Sequence, residues 1–258
     1  MAVRAAARFQ RPGEPVATVL GYHQVTDRGS HLAVSRRTFE EQMGVLDEMR
    51  DELNPLPLNE IIARMARGTA PLRSVAVTFD DAWADVHENA LGVLLEYRIP
   101  ATLYVPTGYL DYPGFVSRSE LQNMADAGIE IGAHTRTHPD LRGCTDAELE
   151  SELAGSRADL EDLLSRKVDA FAYPSGLHDK RVVAAVARAG FRSAVTTTRG
   201  WLRPASDLLR IRRSFVEEFP LQTFTAGARG GMNVLKGTDA LKAAMSRVSG
   251  RRPEGLPT

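Results

Sequence analysis

A single cysteine, Cys144, stands among the 258 residues. An internal disulfide is therefore impossible, a cysteine-stapled scaffold is excluded, and the redox compartment is left open. No apolar run approaches the roughly 20 residues that a membrane-spanning helix needs. Neither sign of charge prevails: 32 Lys and Arg face 33 Asp and Glu, for a formal net charge of −1. No strong positive field exists to draw in a polyanion, which argues against a general nucleic-acid binder. Internal repeats and low-complexity linkers are absent. The opening stretch "MAVRAAARFQRPGEP" is broken by Arg4, Arg8 and Arg11 and lacks the apolar segment of a signal peptide. On that reading the chain is cytoplasmic as written, and exported if a leader has been removed.

What is present suits one large α/β domain or two small ones. Apolar residues make up 43% and charged residues 25%, enough to bury a sizeable core. Residues 1–14 and 249–258 are rich in Arg, Pro and Gly and read as loose ends around a domain spanning 15–248. Between them, strand and helix patterns alternate. "VATVLGYHQV" (16–25) reads as a strand, and Phe39, Met43, Leu46 and Met49 recur at helical spacing. A second short helix closes at Gly68. Strand 74–79 and a helix over about 85–98 follow, then strand 101–106. Ser117 with Glu120, and Thr145 with Glu148, are capping-box patterns that open two helices. "IEIGAH", "DAFAYP" and "FRSAVTT" read as further strands, 179–189 and 238–248 as helices. Strands separated by helices predict a parallel sheet, open or closed into a barrel. Function in such sheets gathers at the carboxyl ends of the strands.

Three predicted strand ends carry unusual polar residues. "VAVTFDDAW" (75–83) ends an apolar run in Asp80 and Asp81, two adjacent carboxylates that raise one another's pKa. "HTRTHPDL" carries His134 and His138, and "YPSGLHD" follows strand 170–173. On one rim, an Asp and two His make a three-ligand divalent site with positions left for water, the pattern of a catalytic rather than a structural metal. Neighbouring strand residues point to opposite faces, so Asp80 and Asp81 can serve different roles: one as ligand, the other reaching the metal-bound water. Singly, each motif has a bland explanation. Asp81 could cap the next helix, and two surface histidines on one turn are common. Their joint placement at successive strand ends carries the argument.

These stretches resemble the polysaccharide deacetylase family, carbohydrate esterase family 4, with its NodB-homology domain. "TFDD" (78–81) is similar to the first motif of that family, "HTRTH" (134–138) to its second, and "AYPSG" (172–176) to a reduced third. "GYHQV" and "LLRIRRSF" look most like the branch acting on exopolysaccharides such as poly-N-acetylglucosamine. The resemblance implies a distorted, incomplete (β/α) barrel in a single domain and an N-deacetylase of an acetylated amino sugar. It implies Asp81, His134 and His138 as metal ligands and Asp80 as general base. It also implies Tyr173, Pro174 and Ser175 around the substrate oxyanion, with a backbone N–H near Ser175. The expected cofactor is a divalent metal, zinc first, with Co²⁺, Ni²⁺ or Fe²⁺ as alternatives. The expected partner is the acetylated sugar, with no nucleic acid and no transmembrane segment.

Three departures stand out. The Arg that orients the base in the third motif has no counterpart at 171–173, and the Tyr that often follows its Pro is Ser175. Where the last motif often supplies an acidic His, "DLLRIRRSF" offers Arg210, Arg212 and Arg213, which do not donate protons at neutral pH. His23 and His178 remain as general acids, His23 first because its strand tip should share the rim. Trp201, Tyr109 and Tyr112 are candidates to stack on sugar rings, and the arginines around Trp201, Arg210 among them, to hold an anionic substituent. Two other readings stay open: a glycan-binding homologue that has lost turnover, and a two-His-one-carboxylate enzyme of another reaction class. No Gly-x-Ser-x-Gly elbow or P-loop is present.

Overall fold

The structure, a computed structural model, describes residues 13–28 and 32–231. Its two longest strands are β1 (Val16–Tyr22) and β4 (Arg73–Phe79), each apolar along nearly its whole length and buried on both faces. Parallel strands need this continuous apolar character because helices cover both sides. β1 pairs with β4 over seven registered positions, from Val16 opposite Arg73 to Tyr22 opposite Phe79. β5 (Ala101–Val105), β6 (Glu130–Ala133), β7 (Ala170–Ala172) and β8 (Ser193–Val195) then add in succession on one side, all parallel. β9 (Ser214–Phe215) joins the other edge beside β1. The sheet order is thus β8-β7-β6-β5-β4-β1-β9.

From β4 onward the strands add in chain order without the reversal that marks a doubly wound sheet. The sheet therefore curls as a barrel does and stops short of closure, as the resemblance implied. The gap between β8 and β9 is spanned by the segment that joins them. Leu202 pairs antiparallel with Ala17, and Ile211 pairs parallel with Val195. Gly21 makes the β1–β9 approach possible, since a Cβ there would lie 2.8 Å from the Phe215 ring.

Helices α1 (Arg36–Glu48), α2 (Leu58–Ala66), α3 (Leu91–Glu96), α4 (Arg118–Asp126), α5 (Ser156–Leu164), α6 (Lys180–Arg188) and α7 (Leu221–Ala228) accompany the strands. Ser117 and Thr145 make reciprocal capping boxes with Glu120 and Glu148, as the sequence predicted. Three expectations change. The strand expected over 16–25 breaks at His23, with β2 (Gln24–Val25) pairing instead to β3 (Ala33–Val34). The helix ending in α3 begins with a π-helical turn, Val86–Ala90. A second such turn, Ser151–Gly155, leads into α5. The helix expected over 238–248 lies outside the described residues, whereas α7 was not anticipated. No helix among the described residues is long and apolar enough to cross a membrane.

Candidate metal centre

β4 delivers both carboxylates. The Asp80 amide continues the ladder by donating to the Tyr22 carbonyl at 3.0 Å. The chain then turns: Asp81 and Ala82 adopt φ of 72° and 54°, a left-handed conformation that non-glycine residues occupy at a cost of order 1–3 kcal/mol each. This turn resolves the problem of two adjacent strand residues, because alternation ends where the strand does. Asp81 swings its Oδ1 to 3.3 Å from His134 Nε2 and 3.5 Å from His138 Nε2. Its Oδ2 accepts from Trp83 Nε1 at 3.3 Å, so it does not cap a helix.

The three ligand-type atoms lie within 4.8 Å of one another, and the side chains are nearly sealed from solvent. Donors on adjacent corners around a tetrahedral zinc sit about 3.3 Å apart, given bonds of about 2.0 Å. The separations from Asp81 match that edge, so the residues fit a divalent ion. His134 Nδ1 is 2.8 Å from the Ala172 carbonyl. Donation there fixes the tautomer with Nε2 facing Asp81, the outer-shell support usual for a metal-binding histidine.

Burial and charge act differently on the two imidazoles. Burial pushes the His138 pKa down to about 4, helped by His134 beside it. Burial opposes protonation of His134 too, but its hydrogen bond to Asp81 and the charges of Asp80 and Asp81 leave its pKa raised. Burial would raise Asp81; its hydrogen bond to His134 and the charge of His138 hold it well below the usual carboxylate range.

Asp80 has a different partner. Arg213 is completely buried and grips it with both ends of the guanidinium: Nη1 to Oδ1 at 2.7 Å, Nη2 to Oδ2 at 2.6 Å. Further donations run from Nε to the Thr196 carbonyl, 3.0 Å, and from Nη1 to Thr78 Oγ1, 3.1 Å. Burial favours the neutral acid, but the charge and hydrogen bonds of Arg213 more than offset it and keep the Asp80 pKa low. The sequence offered no arginine at 171–173 to hold Asp80; Arg213 reaches it instead, from the seam between β8 and β9. One signal for it was available, since Ile211, Arg213 and Phe215 alternate as inward positions and all are buried.

The other anticipated residues divide between two places. His23, buried at the end of β1, faces the Phe215 ring at 5.2 Å and feels the charges of Asp81 and Asp80. Burial lowers its pKa despite those carboxylates, so it is neutral at pH 7. Ser175, at φ 52°, lies in a tight turn with Pro174 at the end of β7. The Tyr173 side chain is fully buried, its hydroxyl donating to the Leu209 carbonyl at 3.0 Å, so it walls the turn rather than facing solvent. Trp201 and Arg210 are not with the Asp–His–His group; they line a separate cavity together with His178. Tyr109 packs on Phe115 and lies 6.5 Å from the His138 ring.

Glu152 escaped the sequence reading. Its carboxylate takes the amides of Arg136 and Thr137 at 2.7 and 2.9 Å and the Thr137 hydroxyl at 2.7 Å. The loop so held contains two left-handed residues, Thr135 (φ 68°) and His138 (φ 57°), and the His138 amide donates to Thr135 Oγ1 at 2.9 Å. Arg136 adds a two-pronged pair with Asp159 across Gly155, where a Cβ would fall 2.5 Å from its Cζ. Glu152 thus anchors the backbone that connects the two imidazole-bearing residues. The signal was a carboxylate on the inward face marked by Leu149, Leu153 and Leu160. Glu152→Ala is expected to weaken zinc binding by about 10- to 100-fold, the usual effect of losing outer-shell support. A competitive zinc titration checks it; unchanged affinity in a folded variant would contradict this role.

Comparison with known proteins accords with this geometry. The polysaccharide deacetylase family model matches residues 67–194. A poly-β-1,6-N-acetyl-D-glucosamine N-deacetylase of Staphylococcus aureus is 26% identical over 202 residues, 73% of this chain and 69% of that protein. The chain spans 64% and 69% of the length of two curated relatives that it matches. Among solved structures, IcaB from Ammonifex degensii superposes with a TM-score of 0.74 at 25% identity, covering 85% of this chain and 98% of that one. A Bacillus anthracis protein grouped with the polysaccharide deacetylases reaches a TM-score of 0.73 at 30% identity, covering 83% of this chain and 69% of that one. With the first two motifs converging at the open end of an incompletely closed parallel barrel, the chain belongs to the polysaccharide deacetylase family.

Proposed function

We propose that this protein is a metal-dependent hydrolase that removes N-acetyl groups from an acetylated amino sugar within an oligosaccharide, polysaccharide or glycoconjugate. The observation that carries the reading is the division of labour between adjacent carboxylates: Asp81 faces two imidazoles, while Asp80 is locked to a buried arginine. A glycosidase would need its carboxyl groups about 5 Å or more apart across a bond, which neighbouring residues in these two roles do not provide. The S. aureus relative, whose name specifies poly-β-1,6-N-acetylglucosamine, favours a β-linked N-acetylglucosamine polymer as substrate.

Asp81, His134 and His138 would hold the ion, zinc being the best match to two nitrogens and one oxygen at these separations. A bound zinc lowers the pKa of water from about 16 to about 7 and polarises a carbonyl. Asp80 acts as the base. It is ionised at neutral pH, and Arg213 fixes its plane so that a carboxylate oxygen accepts the proton of the attacking water. The acetyl C–N bond breaks, acetate leaves, and the sugar nitrogen takes up a proton. His23 is the candidate to relay that proton; being neutral at rest, it must first receive one.

Acetate release from β-1,6- and β-1,4-linked N-acetylglucosamine oligomers tests the proposal. Turnover is expected with zinc and without oxygen, and Asp80→Asn should lower it by about 10²- to 10⁴-fold, the usual range for a general base. Metal bound with no acetate released from several acetylated sugars would instead mark a glycan-binding homologue. Turnover that requires oxygen would mark an oxygenase.

A further inference from the structure

A cavity of about 710 Å³ opens beside the segment that joins β8 to β9. Four arginines line it, Arg199, Arg203, Arg210 and Arg212, against one carboxylate, Asp207. Arg210 already pairs with Asp207 at 2.7 Å. Arg203 lies over the Trp201 ring, 5.1 Å from its centroid, and reaches Glu14 at 3.5 Å. Arg199 and Arg212 have no acidic partner among the described residues. This concentration of positive charge is local, since the whole chain carries a net charge of −1.

The placement of Arg212 follows from the extended run that carries Arg213. Successive residues face opposite ways, so Arg213 turns inward to Asp80 and Arg212 turns to the cavity. Its stem crosses the backbone at Gly200, where a Cβ would fall 2.1 Å from Arg212 Cδ. The cavity and the Asp80 site share a wall. The Thr196 carbonyl that accepts from Arg213 belongs to a cavity residue, and His178 stacks on Tyr173 at 4.8 Å.

We propose that this cavity binds a phosphate group. Guanidinium forks match phosphate oxygens two at a time, and a phosphate ester carries a charge of about −1.5 to −2 at pH 7. With Asp207 answering Arg210 and Glu14 answering Arg203, the charges of Arg199 and Arg212 remain to match such a dianion, where a single carboxylate ligand would leave one of them unanswered. The group comes either from a phosphorylated sugar next to the one being deacetylated, a source that rests on the function proposed above, or from free phosphate.

Calorimetric titration of the intact protein with inorganic phosphate, N-acetylglucosamine 6-phosphate and N-acetylglucosamine tests this. Both phosphate probes are expected to bind, with at least tenfold loss of affinity in the Arg199→Gln/Arg212→Gln variant. Partial recovery is expected in Arg199→Lys/Arg212→Lys, which keeps the charge but loses the fork. Tighter binding of the sugar phosphate identifies a glycan-borne group; equal binding identifies free phosphate. Absence of phosphate binding, or affinity unchanged in the Gln variant, would overturn the proposal. Acetate release from neutral oligomers is measured in parallel and is expected to survive both substitutions. Its absence in the wild-type protein would refute the deacetylase reading while leaving phosphate binding standing.

Discussion

Arg213→Met is expected to lower folding stability by about 3–5 kcal/mol, the cost of stranding one member of a buried ion pair. Asp80 is 3% exposed and Arg213 is 0% exposed, so water cannot take over the solvation of the abandoned carboxylate. Methionine fills much of the vacated volume, which keeps cavity formation from dominating the result. The pH dependence gives the loss a signature. In the wild-type protein the pKa of Asp80 is depressed, so the stabilisation from this pair is present above the ordinary carboxylate pKa of about 4 and fades as pH falls through the lower folded value. In the variant only the smaller effects of His134 and His23 still oppose burial, and the folded pKa is expected to rise. The destabilisation should therefore be large at pH 7 and shrink as Asp80 is protonated. Denaturant unfolding across pH 4–8 reads it. Asp80→Asn/Arg213→Met, which removes both charges, should recover most of the loss. A difference below about 1 kcal/mol at pH 7 would show that the pair is not the buried unit described.

His134→Ala is expected to abolish metal-dependent turnover, with a loss of at least about 10³-fold, because without the ion the attacking water reverts to a pKa near 16. The same substitution removes the group that holds Asp81 at 3.3 Å and leaves two neighbouring carboxylates with one fewer positive partner. The variant should retain less than a stoichiometric amount of zinc. A matched substitution at His178, whose Nδ1 lies 2.8 Å from the Gly176 carbonyl of its own turn, should leave both zinc content and turnover near wild type. Equal loss at the two histidines would mean that general destabilisation, and not ligation, explains the effect. Metal content by elemental analysis and acetate release, taken on the same preparations, separate these outcomes.

Legibility in the sequence followed how local each determinant was. Capping boxes at Ser117 and Thr145 depend on four residues each, and both formed as expected. Strand ends are marked by abrupt changes from apolar to polar, which is why Asp80, Asp81 and His134 could be placed on one rim. What resisted reading was long-range pairing. Arg213 lies 133 residues from Asp80, and nothing near either residue names the other. Composition does not tell the arginines of "LLRIRRSF" apart, yet alternation puts Arg213 in the core and Arg212 in a separate cavity. Glu152 falls on the buried face of its helix, but nothing local shows that its carboxylate reaches back to the amides of Arg136 and Thr137, 16 and 15 residues earlier. The strand over 16–25 was read too long because His23 interrupts its pairing while the apolar pattern continues to Val25.

Zinc removal and restoration test the central claim most directly. The protein is stripped with a chelator, then titrated with zinc while acetate release from N-acetylglucosamine oligomers is followed. The expected result is no turnover in the stripped protein, recovery rising linearly to a plateau at one zinc per chain, and no recovery in Asp81→Ala. Full turnover in the stripped protein, or recovery that Asp81→Ala shares, would contradict a metal centre built on Asp81, His134 and His138.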